Sequence, residues 1–131
     1  MKKVLVCDDD KSVLFLMTFV LKGIGWEVST SEDCNNIIEK VIEHQPSVII
    51  MDNIIPDVGG IMTIQILKKN PVSKDIPAIL CTSSINIAAL ADDAGADFYL
   101  WKPVDSKKLE LLMNKAYEAF RLKNLLQNSE D

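Results

Sequence analysis

Four apolar runs in this chain each end in a polar residue of a different kind. Val4-Leu5-Val6-Cys7 leads into Asp8, Asp9 and Asp10; Val48-Ile49-Ile50-Met51 into Asp52; Ile79-Leu80-Cys81 into Thr82; and Phe98-Tyr99-Leu100-Trp101 into Lys102. Such runs read as strands of a parallel sheet, whose carboxyl ends lie side by side along the edge where open α/β folds bind their ligands. Carboxylates, a hydroxyl and an ammonium then share one pocket. Carboxylate oxygens are the ligands a hard divalent cation prefers, while lysine and threonine hold phosphoryl oxygens. The set reads as a magnesium-dependent phosphoryl site.

The elements that must position these residues follow from periodicity and punctuation. Strand one is expected at about Lys3 to Cys7, and helix one at about Lys11 to Lys22, ended by Gly23 and Gly25. Strand two is the short Trp26 to Ser29. Ser31, followed by Asp33 and Cys34, reads as the cap of helix two, which carries Ile37, Ile38, Val41 and Ile42 at helical spacing and ends at His44, ahead of Pro46. Strand three is Val48 to Met51. Pro56 and Gly59-Gly60 shape the loop after Asp52, and helix three then runs to about Asn70. Strand four spans Ile76 to Cys81, helix four Ile85 to Ala94, and strand five Asp97 to Trp101; helix five starts near Asp105 and extends toward Gln127. The intervals from Asp9 to Asp52, Thr82 and Lys102 suit intervening β-α-β units, which imply right-handed crossovers and a parallel sheet.

Composition bounds the class. A chain of 131 residues with 48% apolar content suits one globular domain with a real core. Its net charge of −5 argues against direct nucleic-acid binding, which needs clustered Lys and Arg. Cys7, Cys34 and Cys81 have no metal-type spacing and read as reduced core thiols. No run reaches transmembrane length and no secretory cleavage pattern is present, so a cytoplasmic protein without membrane contact is expected.

The segments VLVCDDD, VIIMDNIIPDVGG, IPAILCTSS and ADFYLWKP, in this order and at this spacing, resemble the receiver domain of two-component response regulators, from about Lys2 to about Phe120. The resemblance implies an α/β, flavodoxin-like (βα)5 sandwich with strand order 2-1-3-4-5. It divides the chain into a receiver domain, 1–120, and an extension of the last helix with a polar tail, 121–131.

Roles carry over residue by residue. Asp52 matches the phosphoacceptor, a carboxylate nucleophile toward phosphorus. Asp8 and Asp9 match the acidic pair that holds Mg2+, with an Asp52 oxygen and the backbone carbonyl of Ile54 completing the protein ligands. Lys102 would pair with one phosphoryl oxygen and Thr82 would bond another. Thr82 and Tyr99 match the switch residues, which act on the face formed by helix four, strand five and helix five. The bond between Lys102 and Pro103 matches a cis peptide of the family. Ile54 and Ser84 fall where members vary and where phosphoryl lifetime is set. The implied partners are a histidine kinase or histidine phosphotransfer protein, and a downstream target protein or an output domain. The domain is not an enzyme in the ordinary sense, but catalyses its own phosphorylation and dephosphorylation.

The remaining residues have simpler readings. Asp10 is a turn former or helix cap, His44 a helix-end residue, and Asp92 and Asp93 a solvated face. Trp101 either covers one side of the pocket or packs against helix five, and core packing is the favoured expectation. In helix one, Val13, Leu16, Met17 and Val20 are expected to face the sheet, leaving Phe15 and Phe19 one turn apart on the outside as a kinase-docking pair. Leu122, Leu125 and Leu126 continue an apolar pattern beyond the domain and suggest self-association of two copies or a signalling helix. Two rival functions remain. Asp8-Asp9-Asp10-Lys11-Ser12 also fits the opening motif of haloacid-dehalogenase-type phosphatases, although the acidic pair of their last strand is missing, and a phosphate-independent pseudo-receiver scaffold is the other.

Overall fold

Uninterrupted apolar runs such as Val48 to Met51 need cover on both faces. The computed structural model, which describes residues 1–129, provides it with a five-stranded parallel sheet between two layers of helices. The strands β1 (Lys3–Cys7), β2 (Glu27–Ser31), β3 (Val48–Asp52), β4 (Ala78–Thr82) and β5 (Phe98–Trp101) alternate with α1 (Lys11–Gly23), α2 (Ile37–His44), α3 (Gly60–Lys69), α4 (Ile87–Ala94) and α5 (Ser106–Ser129). Their order is β2-β1-β3-β4-β5, the flavodoxin-like arrangement expected from the sequence.

Strand periodicity divides the interior into two cores. Val4, Val6, Val48, Ile50, Ile79 and Cys81 meet Leu14, Met17 and Leu21 of α1 and Leu109, Met113 and Ala116 of α5. Leu5, Cys7, Ile49, Met51, Ala78 and Leu80 face the other way, onto Ile37 and Val41 of α2, Ile64 and Leu67 of α3, and Ala91 and Ala94 of α4. The register pairs Cys7 with Met51, Asp52 with Cys81 and Thr82 with Trp101. All four polar strand ends therefore arrive at one edge.

Several boundaries differ from expectation for local reasons. The amide of Trp26 bonds the carbonyl of Leu21 in the turn after α1, so β2 starts one residue later and continues through Ser31. Ser31 is thus a strand residue and not the cap of α2; its hydroxyl donates to the Asp33 carbonyl, and α2 begins only after Asn36, at φ 54° with no side-chain cap. Strand β4 starts after Pro77, which has no N–H to give, and includes Thr82. Ser84 Oγ accepts from the Asn86 amide and holds that turn non-helical, which delays α4 to Ile87. Along α1 the buried stripe is Leu14, Met17 and Leu21, flanked by Val13 and Val20, while Leu16 is exposed.

The last helix starts behind Asp105, whose carboxylate accepts from the amides of Lys107 and Lys108. It continues past Gln127 to Ser129; Glu130 and Asp131 of the expected polar tail lie outside the described residues. Phe120 reaches the core on the far side of the sheet, and the Gln127 amide donates to Asp75 before β4. Among the described residues no helix is long and apolar enough to cross a membrane.

Candidate functional site

Asp8 leaves β1 directly beside the end of β3, where Asp52 stands, and both side chains are buried. Lys102, one residue beyond β5, reaches across this edge, with Nζ 2.7 Å from Asp8 Oδ2 and 3.0 Å from Asp52 Oδ1. The other Asp8 oxygen accepts from the Asp10 amide at 2.9 Å. Asp9 is exposed at the rim. Asp8, Asp9 and Asp52 each present one oxygen within 4.8 Å of the others, a hard all-oxygen donor set of the kind Mg2+ takes. Thr82 is buried at the end of β4, and its Oγ1 accepts from the Ser84 amide at 3.2 Å. The Lys102–Pro103 peptide is cis. The structure thus gathers Asp8, Asp9, Asp52, Thr82 and Lys102 into one site.

Charge sets the chemistry of this cluster. Burial pushes the Asp52 carboxyl above its ordinary value, with the charge of Asp8 adding to the rise and Lys102 opposing it. Burial alone would lower the Lys102 ammonium, but its bonds to Asp8 and Asp52 prevail and raise it. Because the folded pKa of Asp52 lies above its unfolded value, the native state holds this proton longer. The stability it contributes is present in acid and is lost as pH rises from the ordinary carboxylate range through the folded pKa. An ionised Asp52 is therefore held in place at a cost to folding.

The loop after Asp52 depends on close backbone contact. A Cβ on Gly60 would lie 1.8 Å from the Asp52 carbonyl oxygen, so only glycine lets α3 start against the end of β3. The Gly60 amide bonds the Asn53 carbonyl, and Thr63 Oγ1 donates to the Gly59 carbonyl at 2.6 Å. The side chain of Ile54 is 76% exposed.

The sequence profile described as "Response regulator receiver domain" matches residues 4–114. The chain belongs to that family. As a receiver domain of two-component systems it is 29% identical to the response regulator receiver domain protein of Clostridium thermocellum, with a TM-score of 0.81 over 96% of this chain and 99% of that one. A putative response regulator from Chloroflexus aurantiacus gives 25% identity and a TM-score of 0.84, covering 89% and 98%. The phosphate regulon transcriptional regulatory protein PhoB of Klebsiella pneumoniae is 28% identical over 112 residues, 82% of this chain and 48% of that protein. The chain spans about half the length of the curated relatives it matches.

Around the receiver site, one residue is placed as the sequence predicts and another is not. Asp10 caps α1, as expected, accepting from the amides of Ser12 and Val13. Trp101, by contrast, does not pack into the core. It is 52% exposed, its indole N–H donates to the Ser84 carbonyl at 3.0 Å, and its ring meets Tyr99 edge-on at 5.8 Å. Strand alternation was the missed signal: Leu100 faces the core, so Tyr99 and Trp101 both face away from it. Phe15 and Phe19 are 77% and 73% exposed, and Tyr99 is 42% exposed.

The backbone contact at Gly60 can be tested directly. Gly60→Ala is expected to destabilise the domain by about 1–3 kcal/mol or more, as overpacking does, and to shift the Asp52 and Asn53 amide resonances. Gly23→Ala, in a helix with open space around it, is expected to change stability by no more than about 1 kcal/mol. Urea unfolding of both variants checks this; equal effects would mean that the loop relaxes freely.

Proposed function

We propose that this receiver domain takes a phosphoryl group onto Asp52 from the phosphohistidine of a histidine kinase or histidine phosphotransfer protein. The single observation that carries the reading is Asp52 beside Asp8, Asp9, Thr82 and Lys102 at one sheet edge. An Asp52 oxygen attacks phosphorus as the phosphorus–nitrogen bond breaks. The electron pair stays on the imidazole, which takes up a proton. Lys102 pairs with one phosphoryl oxygen in place of its bond to Asp52, and Thr82 donates to another. Asp8, Asp9, Asp52 and the Ile54 carbonyl hold Mg2+, which when bound offsets the repulsion between carboxylates and phosphoryl oxygens. The capping role of Asp10 disfavours the phosphatase alternative, which requires that carboxylate in the site.

The switch follows Thr82 toward the phosphoryl group and Tyr99 into the space it leaves, which alters the α4-β5-α5 face. The output is a downstream protein or an output domain, and direct nucleic-acid binding by residues 1–120 is not part of the reading. We place the protein in the cytoplasm, in keeping with three buried free thiols.

Incubation with Mg2+ and a small phosphodonor tests the acceptor. Asp52→Asn is expected to abolish labelling and Asp9→Asn to reduce it at least tenfold, with Asp10→Asn close to wild type. Normal labelling of Asp52→Asn, or equal loss in all three, would sink the assignment, and no labelling of the wild type would favour the scaffold reading.

The kinase side rests on α1, where Phe15, Leu16 and Phe19 are exposed and Leu16 lines a cleft with Lys102 and Val104. Phe15→Ser and Phe19→Ser are expected to slow transfer from the cognate kinase about tenfold while leaving labelling by the small donor unchanged. Equal slowing in both assays would indicate damage to the fold.

Leu122, Leu125 and Leu126 are exposed on the last turns of α5, and burial of such residues against a second copy is favourable by about 1–2 kcal/mol each. Truncation after Phe120 is expected to weaken self-association of the beryllofluoride-loaded protein. Sedimentation across a concentration series reads this, and a wild-type protein that stays monomeric throughout would rule it out.

A further inference from the structure

The switch proposed above runs through Thr82 and Tyr99, yet the chain holding Thr82 to the surface passes through another residue. Thr82 Oγ1 accepts from the Ser84 amide at 3.2 Å, and the Ser84 carbonyl accepts the indole N–H of Trp101 at 3.0 Å. Trp101 stands opposite Thr82 in the β4-β5 register and covers Tyr99 edge-on, with ring centroids 5.8 Å apart at 77°. Two hydrogen bonds and one ring contact thus join a buried hydroxyl in the site to a pair of exposed aromatic rings. The same indole lines a cleft of about 340 Å³ with Tyr99, Pro103, Lys108 and Leu111.

We infer that Trp101 is a positioning residue of the switch, a latch that holds the turn after Thr82 and keeps Tyr99 outward in the resting domain. The inference rests on the phosphoacceptor reading of Asp52. A hydroxyl has one donor and two acceptor positions, so Thr82 can donate to a phosphoryl oxygen while still accepting from Ser84. A move of Thr82 toward Asp52 then draws Ser84 with it. Trp101 is anchored in β5, and a displacement of about 1 Å takes a 3.0 Å bond out of hydrogen-bonding range. Half-exposed, the freed indole N–H finds water at once, so release carries no penalty of a buried unpaired donor. Tyr99 loses the ring that covered it, and the wall of the cleft moves.

The latch stabilises the resting state by one ordinary hydrogen bond, equivalent to roughly two- to tenfold in an equilibrium. Trp101→Phe keeps the ring against Tyr99 and removes the N–H. This variant is expected to bind beryllofluoride in saturating Mg2+ roughly two- to tenfold more tightly than wild type. The second measurement needs no variant. The chain has two tryptophans, and Trp26 is buried in the core against Tyr117. In proton–nitrogen spectra the Trp101 indole resonance is expected to shift on beryllofluoride addition and to exchange faster with water, while that of Trp26 stays in place. In Thr82→Ala without beryllofluoride, the Trp101 resonance is expected to move in the same direction. A static Trp101 indole while the Asn53 and Thr82 amides respond would overturn the latch alone, as would unchanged affinity in Trp101→Phe. No response at Asn53 and Thr82 would overturn the phosphoacceptor reading and the latch with it.

Discussion

The ammonium of Lys102 lies within 3.0 Å of two buried carboxylates, and the functional edge of the sheet is organised around that balance. Two carboxylates this close repel, and burial strengthens the repulsion because water no longer screens it. Lys102 offsets part of the charge and burial keeps the rest unfavourable, which is why Asp52 titrates above its ordinary value. A domain that only had to be stable would not retain this arrangement. On the proposed reading, an added cation would relieve the remaining carboxylate charge and an added phosphoryl group would give Lys102 a new partner.

The parallel sheet supplies the rigidity this balance needs. Asp8, Asp52 and Thr82 sit at or next to the ends of strands whose other residues are almost all buried, so their main chain cannot drift without opening a core. Asp9 and Lys102 are less constrained. The less buried region is the rim: the turn from Ser83 to Asn86 and Trp101 at the carboxyl end of β5, where the side-chain hydrogen bonds are few and mostly accessible to water. A buried carboxylate cluster, an accessible turn and exposed aromatic rings therefore follow one another within a short distance.

How much was legible in the sequence depended on the length of the signal. The fold and the gathering of Asp8, Asp9, Asp52, Thr82 and Lys102 were readable because each residue ends an apolar run, and such runs have few alternatives to buried parallel strands. Boundaries set by single hydrogen bonds were not. Whether Ser31 ends a strand or caps a helix turns on its pairing with Cys7, a contact between residues distant in sequence. Leu14 and Leu16 are chemically identical, and only the rotation of α1 on the sheet decides which one is buried. The outward placement of Trp101 was encoded in the alternation of Phe98 to Trp101, but bulk and hydrophobicity suggested a core residue and outweighed it.

The three cysteines carry a consequence of a different kind. Burial raises the thiols of Cys7 and Cys81 to about 12, and that of Cys34 is raised as well. A thiol in that range is almost never a thiolate at neutral pH, and thiolate is the form that reacts. Cys7 immediately precedes Asp8 and shares one core with Cys34, which lies near Met51, while Cys81 immediately precedes Thr82 and belongs to the core on the other side of the sheet. Alkylation of Cys7 and Cys81 therefore reports the opening of the strands that carry the site, and alkylation of Cys34 that of the connection between β2 and α2. The native chain contains its own chemical clock for local unfolding, with no probe introduced, two timers on one side of the sheet and one on the other.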